Sequence, residues 1–322
     1  MIINGKEEFI KKITISDFDN LSEIIRGKTD FCPDIRKEFI FRGMSDENYN
    51  LCPSSLRKNS KLNDFVDEDF KVKLNGDVLD KTNNKIANTS LAEYQYLKEI
   101  NTLVKFFENG DKLGLKIPIN QDIRDLILHR DKERKIKHLW PDENYFELIS
   151  LAQHYGIPTR ALDWSYDYKV ALYFAVKDIL TKNNPKNGIL WAFNYKSCEI
   201  DCLKDFKKPY AIKYYRPEYN SNPNLNAQKG LFTFIINNLD YITHESLDKL
   251  IDDNLSENHE IKKLNGNIKI FYKFIIPKTI KPDLLNELYL DGYSEEHLFP
   301  SYDGITKSIE NRVKLDKILL NR

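Results

Sequence analysis

Residues 153–165 read QHYGIPTRALDWS, and two residues later the chain continues as YKVALYFA over residues 168–175. Within twelve residues this stretch carries five side chains capable of chemistry, namely His154, Arg160, Asp163, Trp164 and Ser165. Pro158 restrains the residue before it to extended geometry, and Gly156 permits backbone angles that other residues avoid. We therefore predict a rigid turn that enters a strand, with an apolar helix packed on the sheet directly after it.

The alternation of side chains along a strand divides this stretch between two faces of the sheet. Asp163 and Ser165 are two residues apart and share one face, whereas Leu162 and Trp164 point to the other. Arg160 is an odd number of positions from Asp163, so a regular strand would place the two on opposite faces. A bulge, or a strand that begins only after Arg160, would allow them to pair.

The composition argues against several classes of protein. Lys plus Arg and Asp plus Glu both number 49, so net charge gives no support to non-specific nucleic-acid binding. A basic run over residues 132–137 is interpreted as a solvated helix end or loop, with a local patch as the alternative. No apolar run approaches the roughly 20 residues that cross a bilayer, and the first residues are not expected to form a secretory signal. We expect a cytoplasmic protein without a membrane partner.

The four cysteines predict reduced thiols rather than a disulfide framework, since the chain has 322 residues and we expect no secretory leader. Cys198 and Cys202 are four residues apart, but no second Cys or His pair at zinc-like spacing accompanies them. We therefore expect no metal site.

The order of the periodic segments predicts an α+β fold, because helices separate one early strand from later ones without a regular βαβ alternation. We predict a single domain over residues 1–322, with its core at about 35–240. A loop insertion is expected at about 58–90, where large apolar residues are few, and a strand and helices at about 241–322. Apolar and β-branched runs predict strands at 38–43, 160–165, 188–193, 210–215, 231–236 and 268–276. Helical spacing predicts helices near 17–26, 91–107, 123–127, 145–151, 168–180, 282–290 and 304–320.

The first predicted strand ends in Arg42 and Gly43, and it is a candidate wall of a binding site. A guanidinium offers two parallel donors to phosphate or carboxylate and stays charged when partly buried. The alternative is a structural ion pair with an acid such as Asp163 or Glu38. Gly43 would let a ligand or another backbone approach closely.

Three further side chains are candidates, each with a structural alternative. His154 is suited to general acid-base chemistry or to a hydrogen bond with a ribose hydroxyl, and otherwise to a core position. Trp164 can stack on a base or a nicotinamide ring, although a core position is the more common use of tryptophan. Gln228 stands before Gly230 at the mouth of a strand, where its amide can contact a substrate.

Together these residues resemble the FRG domain family, named for the Phe-Arg-Gly that stands here at residues 41–43. The family pattern, approximately A-Q-H-x-G-x-P-T-R-L-L-D-W-T followed by A-x-x-F-A, is similar to residues 152–165 and 171–175. A Gln-x-Gly-x-Phe element stands at 228–232, and Phe-Pro and Asp-Gly stand at 299–300 and 303–304. Ala161 replaces a usual Leu, and Asn224 stands where the family often carries Arg. The resemblance extends over about residues 35–320 and implies a protein of bacterial or phage-related type.

A more distant likeness is to the Arg-Ser-Glu ADP-ribosyltransferases, and it implies a mixed, split β-sheet core and NAD as cofactor. By this likeness Arg42 would anchor the phosphates, His154 and Ser165 would hold ribose, Asp163 would orient groups or stabilise charge, and Gln228 would contact the substrate. Contacts with the cofactor are likewise expected from a further set of residues: Arg42, Gly43, Thr159, Arg160 and Trp164. Gln228 falls where that family has its Glu, and a neutral amide lacks the charge that steadies a cationic transition state, which is worth about 3 kcal/mol or more.

Two functions from different classes follow. The first is a protein that binds NAD or another nucleotide, as an intracellular toxin or phage-defence effector. As an enzyme it would transfer ADP-ribose to a host protein or nucleic acid. Catalysis then requires an acid such as Asp163 in place of the missing Glu. The second is a non-catalytic interaction module in which Arg42, Arg160 and Asp163 form a buried structural network. A metal-dependent nuclease or hydrolase is disfavoured because acids and histidines lack ligand-like spacing.

Overall fold

A computed structural model of the chain describes residues 10–66, 91–128, 139–195, 210–219, 222–238, 246–251 and 270–322. These residues form the predicted α+β fold. The strands are β1 (Ile10–Thr14), β2 (Phe39–Met44), β3 (Leu139–Trp140), β4 (Ala161–Ser165), β5 (Gly188–Asn194), β6 (Tyr210–Tyr215), β7 (Gly230–Asn238) and β8 (Phe271–Ile276). The helices are α1 (Phe18–Ile25), α2 (Leu91–Lys112), α3 (Gln121–Leu128), α4 (Phe146–His154), α5 (Tyr168–Val176), α6 (Pro223–Ala227), α7 (Lys281–Leu290), α8 (Glu295–Leu298) and α9 (Tyr302–Leu320).

The strands form one mixed sheet in the order β1-β8-β5-β2-β4-β7-β3, and β6 also pairs with β7. β1 and β8 run parallel, and the other pairs are antiparallel. β2 pairs with β5 over six residue pairs but with β4 only at Phe41 and Ser165. The sheet therefore opens between its two central strands, β2 and β4.

Helices cover the sheet because its central strands are apolar on both faces. Every residue of β5 is buried, and successive residues enter different clusters, with Leu190 and Ala192 on one side and Ile189 and Trp191 on the other. The first side is covered by α1, α5 and α7. A third cluster joins α2, α3 and α4 to β7. The site described below lies where these layers meet at the opening of the sheet.

The turn before β4 has the predicted rigid geometry. Gly156 has φ +89°, an angle that few residues other than glycine adopt, and the backbone NH of Ile157 donates to the carbonyl of Ala152 at 3.0 Å. β4 begins at Ala161, one residue after Arg160. Strand alternation therefore does not constrain Arg160, in line with the second of the two arrangements left open above.

Several expectations fall partly or wholly outside the described residues, including the first two residues of the strand predicted at 268–276. Within the predicted insertion, Lys61–Phe65 form a short 3-10 helix with Leu62 buried, while residues 67–90 are not described. The basic run at 132–137 and the pair Cys198 and Cys202 also lie outside. Among the helices described, none is long and apolar enough to cross a bilayer.

Candidate functional site

The site begins at the opening between β2 and β4, which Arg42 spans. Its Nη1 atom donates to the backbone carbonyl of Asp163 at 2.7 Å and lies 2.6 Å from the carboxylate Oδ1 of the same residue. The carbonyl contact replaces a ladder hydrogen bond that separated strands cannot make. The ion pair between Arg42 and Asp163 was one of the two interpretations of Arg42 drawn from the sequence.

The two partners of this pair differ in their access to solvent. The Arg42 side chain is 12% exposed, while that of Asp163 is 62% exposed and opens into a cleft. The Nε of Arg42 is buried without a hydrogen-bond partner among the described residues. The pair thus joins an enclosed cation to an accessible anion.

Asp163 is held in its ionised form. The surrounding protein raises the pKa of its carboxyl, but the charge of Arg42 and hydrogen bonds from Arg42 and Gln153 outweigh this, so the pKa lies below its usual range. The amide nitrogen of Gln153 is 3.2 Å from Asp163 Oδ1 and also donates to the Ala161 carbonyl. At neutral pH the cleft therefore contains a fixed carboxylate.

The cleft has a volume of about 580 Å³, and it brings together most of the residues singled out from the sequence. Those on its lining are Arg42, Gly43, His154, Asp163, Trp164, Ser165 and Gln228. Further walls come from Tyr49, Arg57, Val170, Phe174 and Phe299. A cleft of this size is within the range that accommodates small ligands and cofactors.

Arg57 is a second cation on the cleft, and no local pattern in the sequence indicates this position. It follows the short 3-10 helix Ser54–Leu56, and its Nε donates to the Cys52 carbonyl at 3.0 Å. Burial lowers the pKa of its guanidinium, and the charge of Arg42 lowers it further. The two cations are thus close enough to repel each other, and this repulsion would be relieved by an anion bound between them.

Thr159 and Arg160, both predicted to contact the cofactor, do not line the cleft. Both are buried. The backbone carbonyl of Thr159 accepts from the backbone NH of Ser55 at 3.0 Å, and its NH donates to the Ser54 hydroxyl at 3.0 Å. These bonds hold the segment that leads to Arg57. Thr159 therefore positions a cleft residue instead of lining the cleft itself.

Arg160 belongs to a separate buried network. Its Nε lies 2.7 Å from Glu99 Oε2, which also accepts from the indole NH of Trp140 at 2.6 Å. The other oxygen of Glu99 accepts from Gln95 at 2.7 Å. The proposed single network of Arg42, Arg160 and Asp163 is thus two separate ion pairs, because Arg160 turns away from β4 towards α2.

His154 and Trp164 differ in what they offer to the cleft. Burial lowers the pKa of His154, and its Nε2 lies 3.2 Å from the amide nitrogen of Asn224. A neutral imidazole whose Nε2 accepts from that amide carries its proton on Nδ1. Trp164 borders the cleft but is buried, and its indole NH donates to the Thr233 hydroxyl at 2.9 Å. Its ring packs with Phe193, so it is a core tryptophan.

Ser165 and Gln228 already have hydrogen-bond partners within the protein. The Ser165 hydroxyl donates to the Gln228 carbonyl at 2.7 Å and accepts from the Asp167 NH at 2.9 Å. The side-chain amide of Gln228 donates to the Leu298 carbonyl at 3.1 Å. The one proton that Ser165 can donate is thus used by the fold.

The glycine of the Phe-Arg-Gly element is required by helix packing. A Cβ built at Gly43 would lie 1.7 Å from the carbonyl oxygen of Ala171 and 2.8 Å from the backbone nitrogen of Ala175. The close approach expected at Gly43 is therefore made by the backbone of α5. This contact links the element at 41–43 to the small residues of the A-x-x-F-A helix.

Phe174 and Phe299 form an aromatic wall of the cleft, and Lys177 contacts both rings without lining the cleft itself. Lys177 Nζ lies 4.5 Å from the ring centre of Phe174 and 5.7 Å from that of Phe299. Burial lowers the pKa of Lys177, while the nearby charge of Glu295 acts in the opposite direction. Within the residues described, no group of three or more His, Cys, Asp or Glu side chains is placed to hold a metal ion.

Comparison with protein families gives a match at the residues that build this cleft. The model of the FRG domain matches residues 37–184. The chain contains an FRG domain. The matched region includes Arg42, Arg57, His154 and Asp163, whereas Gln228 and the C-terminal helices lie outside it.

Comparisons with curated proteins and with solved structures found no match to the chain. The recognition of the FRG element from the sequence is therefore confirmed over 37–184, while the likeness to ADP-ribosyltransferases stays a prediction. The FRG domain supplies both arginines and the carboxylate of the cleft.

Proposed function

We propose that the cleft of the FRG domain binds a nucleotide through its phosphate groups. The observation that carries this proposal is the pair of arginines, Arg42 and Arg57, which face one cleft with Asp163 as its central acid. The guanidiniums repel each other, the charge of Asp163 offsets part of this repulsion, and a phosphate or diphosphate between them would offset more of it. Arginine is suited to this role because its planar fork matches phosphate oxygens.

The aromatic lining supports a ligand that also carries a ring. Tyr49 is half-exposed on the cleft, and Phe174 and Phe299, which also line it, pack edge to face with each other. Exposed aromatic faces stack on bases, a contact worth about 1–3 kcal/mol. Tyr49 takes the stacking role that the sequence assigned to the buried Trp164. NAD, with two bases and a diphosphate, combines the required groups.

As a finer proposal, the domain cleaves NAD or transfers ADP-ribose. The bond between nicotinamide and ribose would break with its electron pair leaving on nicotinamide, and water or an acceptor nucleophile would add to the cationic sugar carbon. Asp163 supports this chemistry because it is ionised and accessible in the cleft. Such a fixed negative charge steadies a cationic centre, which the neutral Gln228 does not.

Calorimetry with NAD, ADP-ribose and ATP tests the binding proposal. We expect binding that Arg57→Gln weakens on the order of tenfold or more, since a charged hydrogen bond to phosphate is lost. Arg36→Gln is the matched control, because Arg36 lies outside the cleft in an exposed pair with Asp34. Absence of binding by all three nucleotides, or equal losses in both variants, would reject the proposal.

Release of nicotinamide from NAD tests the chemical proposal separately. Asp163→Asn retains a side chain of the same shape and removes its charge, so it should bind NAD and lose turnover. Wild-type protein that binds NAD without releasing nicotinamide or labelling a lysate would limit the function to binding.

A second candidate function is a non-catalytic interaction module, and one observation favours it. Ser165 and Gln228 each donate a side-chain hydrogen bond to a backbone carbonyl, and Arg42 bridges the opening of the sheet. These are structural uses of three residues that a transferase would need for its substrate. Under this function, cleft variants would change stability and partner binding without any effect on nucleotides.

We also propose, on the resemblance alone, that an active FRG domain of this type is an intracellular toxin or phage-defence effector. Induced expression in a bacterial host would then arrest growth, and Asp163→Asn would abolish the arrest at equal protein level. Normal growth with the wild-type chain, during phage infection as well as without it, would contradict this role.

A further inference from the structure

Helix α9 exposes a continuous apolar stripe on the side that faces away from the core. Its inner side is buried at Gly304, Ser308 and Leu315. Its outer side carries four large apolar residues that are 91%, 64%, 50% and 85% exposed, namely Tyr302, Ile309, Val313 and Leu320. An apolar patch of this kind on a folded domain marks an interaction surface.

The spacing of this stripe follows a coiled-coil repeat. Positions 302, 306, 309, 313, 316 and 320 are separated alternately by four and three residues, and all six are exposed. Apolar residues at this 3.5-residue average form the seam of paired helices. Two polar residues interrupt the seam, Thr306 and Asp316. Such polar positions specify register and orientation.

We propose that α9 is a self-association surface, on which a second copy of this chain packs its own α9 in antiparallel orientation. With the twofold axis at position 311, Tyr302 faces Leu320 of the second copy and Ile309 faces its Val313. Each large residue thus meets an apolar partner. The same register places Thr306 opposite Asp316 of the second copy, where the hydroxyl can donate to the carboxylate.

Charge favours this orientation over a parallel one. In the antiparallel pair Asp303, at the start of α9, flanks Lys317 of the second copy, and neither residue has an ion-pair partner within the described part of the chain. A parallel pair would instead bring the two Asp316 carboxylates together in the seam, and like charges there are destabilising.

The remaining charges of the outer side are balanced within each helix. Lys314 pairs with Glu310 at 2.7 Å, and Arg312 pairs with Asp316 at 3.1 Å. Across the twofold axis Glu310 lies near Glu310 of the second copy, and Arg312 near its Arg312. The repulsion between these like charges is reduced because Lys314 pairs with Glu310 and Asp316 pairs with Arg312 within each helix. Asp316 has to serve both Arg312 and Thr306 of the second copy, which its two oxygens permit.

The length of α9 sets the strength that we expect. Its 19 residues extend over about 28 Å at a rise of about 1.5 Å per residue. One helix pair of this length buries less than the roughly 1,200 Å² of a standard stable interface. The association should consequently depend on concentration, with a dissociation constant on the order of micromolar or weaker.

Sedimentation velocity of the full chain over a concentration series tests the surface. We expect a shift from monomer to dimer with rising concentration, and weakening on the order of tenfold or more in Ile309→Glu, since each dimer buries two such charges. Leu290→Glu is the matched control, because Leu290 is an exposed apolar residue on α7. A monomer at all concentrations, or equal weakening in both variants, would overturn the proposal.

A charge exchange tests the orientation. Asp303→Lys and Lys317→Glu should each weaken the dimer, and the double variant should restore it to near the wild-type constant. A double variant as weak as its parents, with helicity unchanged by circular dichroism, would overturn the antiparallel arrangement. The chain could also be a monomer in which the seam of α9 is protected from hydrogen exchange. That result would mean that another segment of the same chain covers the seam, and it too would overturn the proposal.

Discussion

One nitrogen of Arg42 contacts Asp163 twice, at the backbone carbonyl 2.7 Å away and at the carboxylate 2.6 Å away. The first contact connects two strands where their ladder has stopped, and the second fixes an anion in the cleft. The same side chain therefore contributes to the fold and to the site. Substitutions at its two ends can separate these contributions.

Arg42→Ala should destabilise the domain more than Asp163→Asn does. The alanine removes the bridge across the sheet and leaves the Asp163 carbonyl without its donor, at a cost of about 1–3 kcal/mol. The asparagine keeps that carbonyl, and the lost ion pair is solvent-exposed on the Asp163 side and so worth under about 1 kcal/mol. Urea unfolding of both variants measures the order. Equal losses would mean that the carboxylate contact dominates.

Two of the glycines that line the cleft should respond differently to alanine. Gly43→Ala forces a methyl group against the Ala171 carbonyl of α5, so we expect a loss of about 4 kcal/mol or more, or no folded protein. Gly156→Ala meets open space and only the strain of its φ of +89°, about 1–2 kcal/mol. Thermal unfolding of the pair checks this. A mild effect at Gly43 would mean that α5 shifts easily.

The roles of these glycines show what a sequence can and cannot predict. Gly156 stands beside Pro158, and the local pattern was enough to predict its unusual backbone. Gly43 was correctly predicted to allow a close approach, but the approaching group is a helix more than 120 residues later in the chain. Its identity depends on the packing of α5, which no local pattern specifies.

The strands and charged residues also divide into those that a local pattern predicts and those that depend on long-range contacts. β5 and β8 were predicted because long apolar, β-branched runs suit a buried sheet. β1 was missed because it is a partly exposed edge strand with the sequence IKKIT, and its pairing with β8 is entirely long-range. Arg57 was missed since its position on the cleft depends on bonds between residues 54–55 and Thr159. The residues next to Arg57 in the sequence do not indicate those long-range bonds.

Arg160→Met should destabilise the domain without a specific effect on a ligand in the cleft. It leaves Glu99 charged and buried, which costs about 3–5 kcal/mol. The double variant Arg160→Met, Glu99→Met should recover part of this loss, although the Trp140 indole then lacks its acceptor. Unfolding free energies and nucleotide affinity of the double variant provide the check. A stable double variant that no longer binds nucleotide would show that Arg160 contributes to cofactor binding, as expected from the sequence.

His154 should make stability depend on pH. Because burial puts its pKa below the usual 6.5 in the folded domain, the unfolded chain takes up the proton first as pH falls. The contribution of His154 to the free energy of unfolding is therefore complete above about pH 7. It decreases as pH falls from the pKa of the unfolded chain to the pKa of the folded domain, and it is constant at lower pH. His154→Gln should remove this part of the profile. Asn224→Ala, which deletes the hydrogen-bond partner of Nε2 and keeps the imidazole, should retain it. The free energy of unfolding measured from pH 8 to pH 5 distinguishes the variants. If it varies with pH in the same way for wild type and His154→Gln, the imidazole is not desolvated in the folded domain.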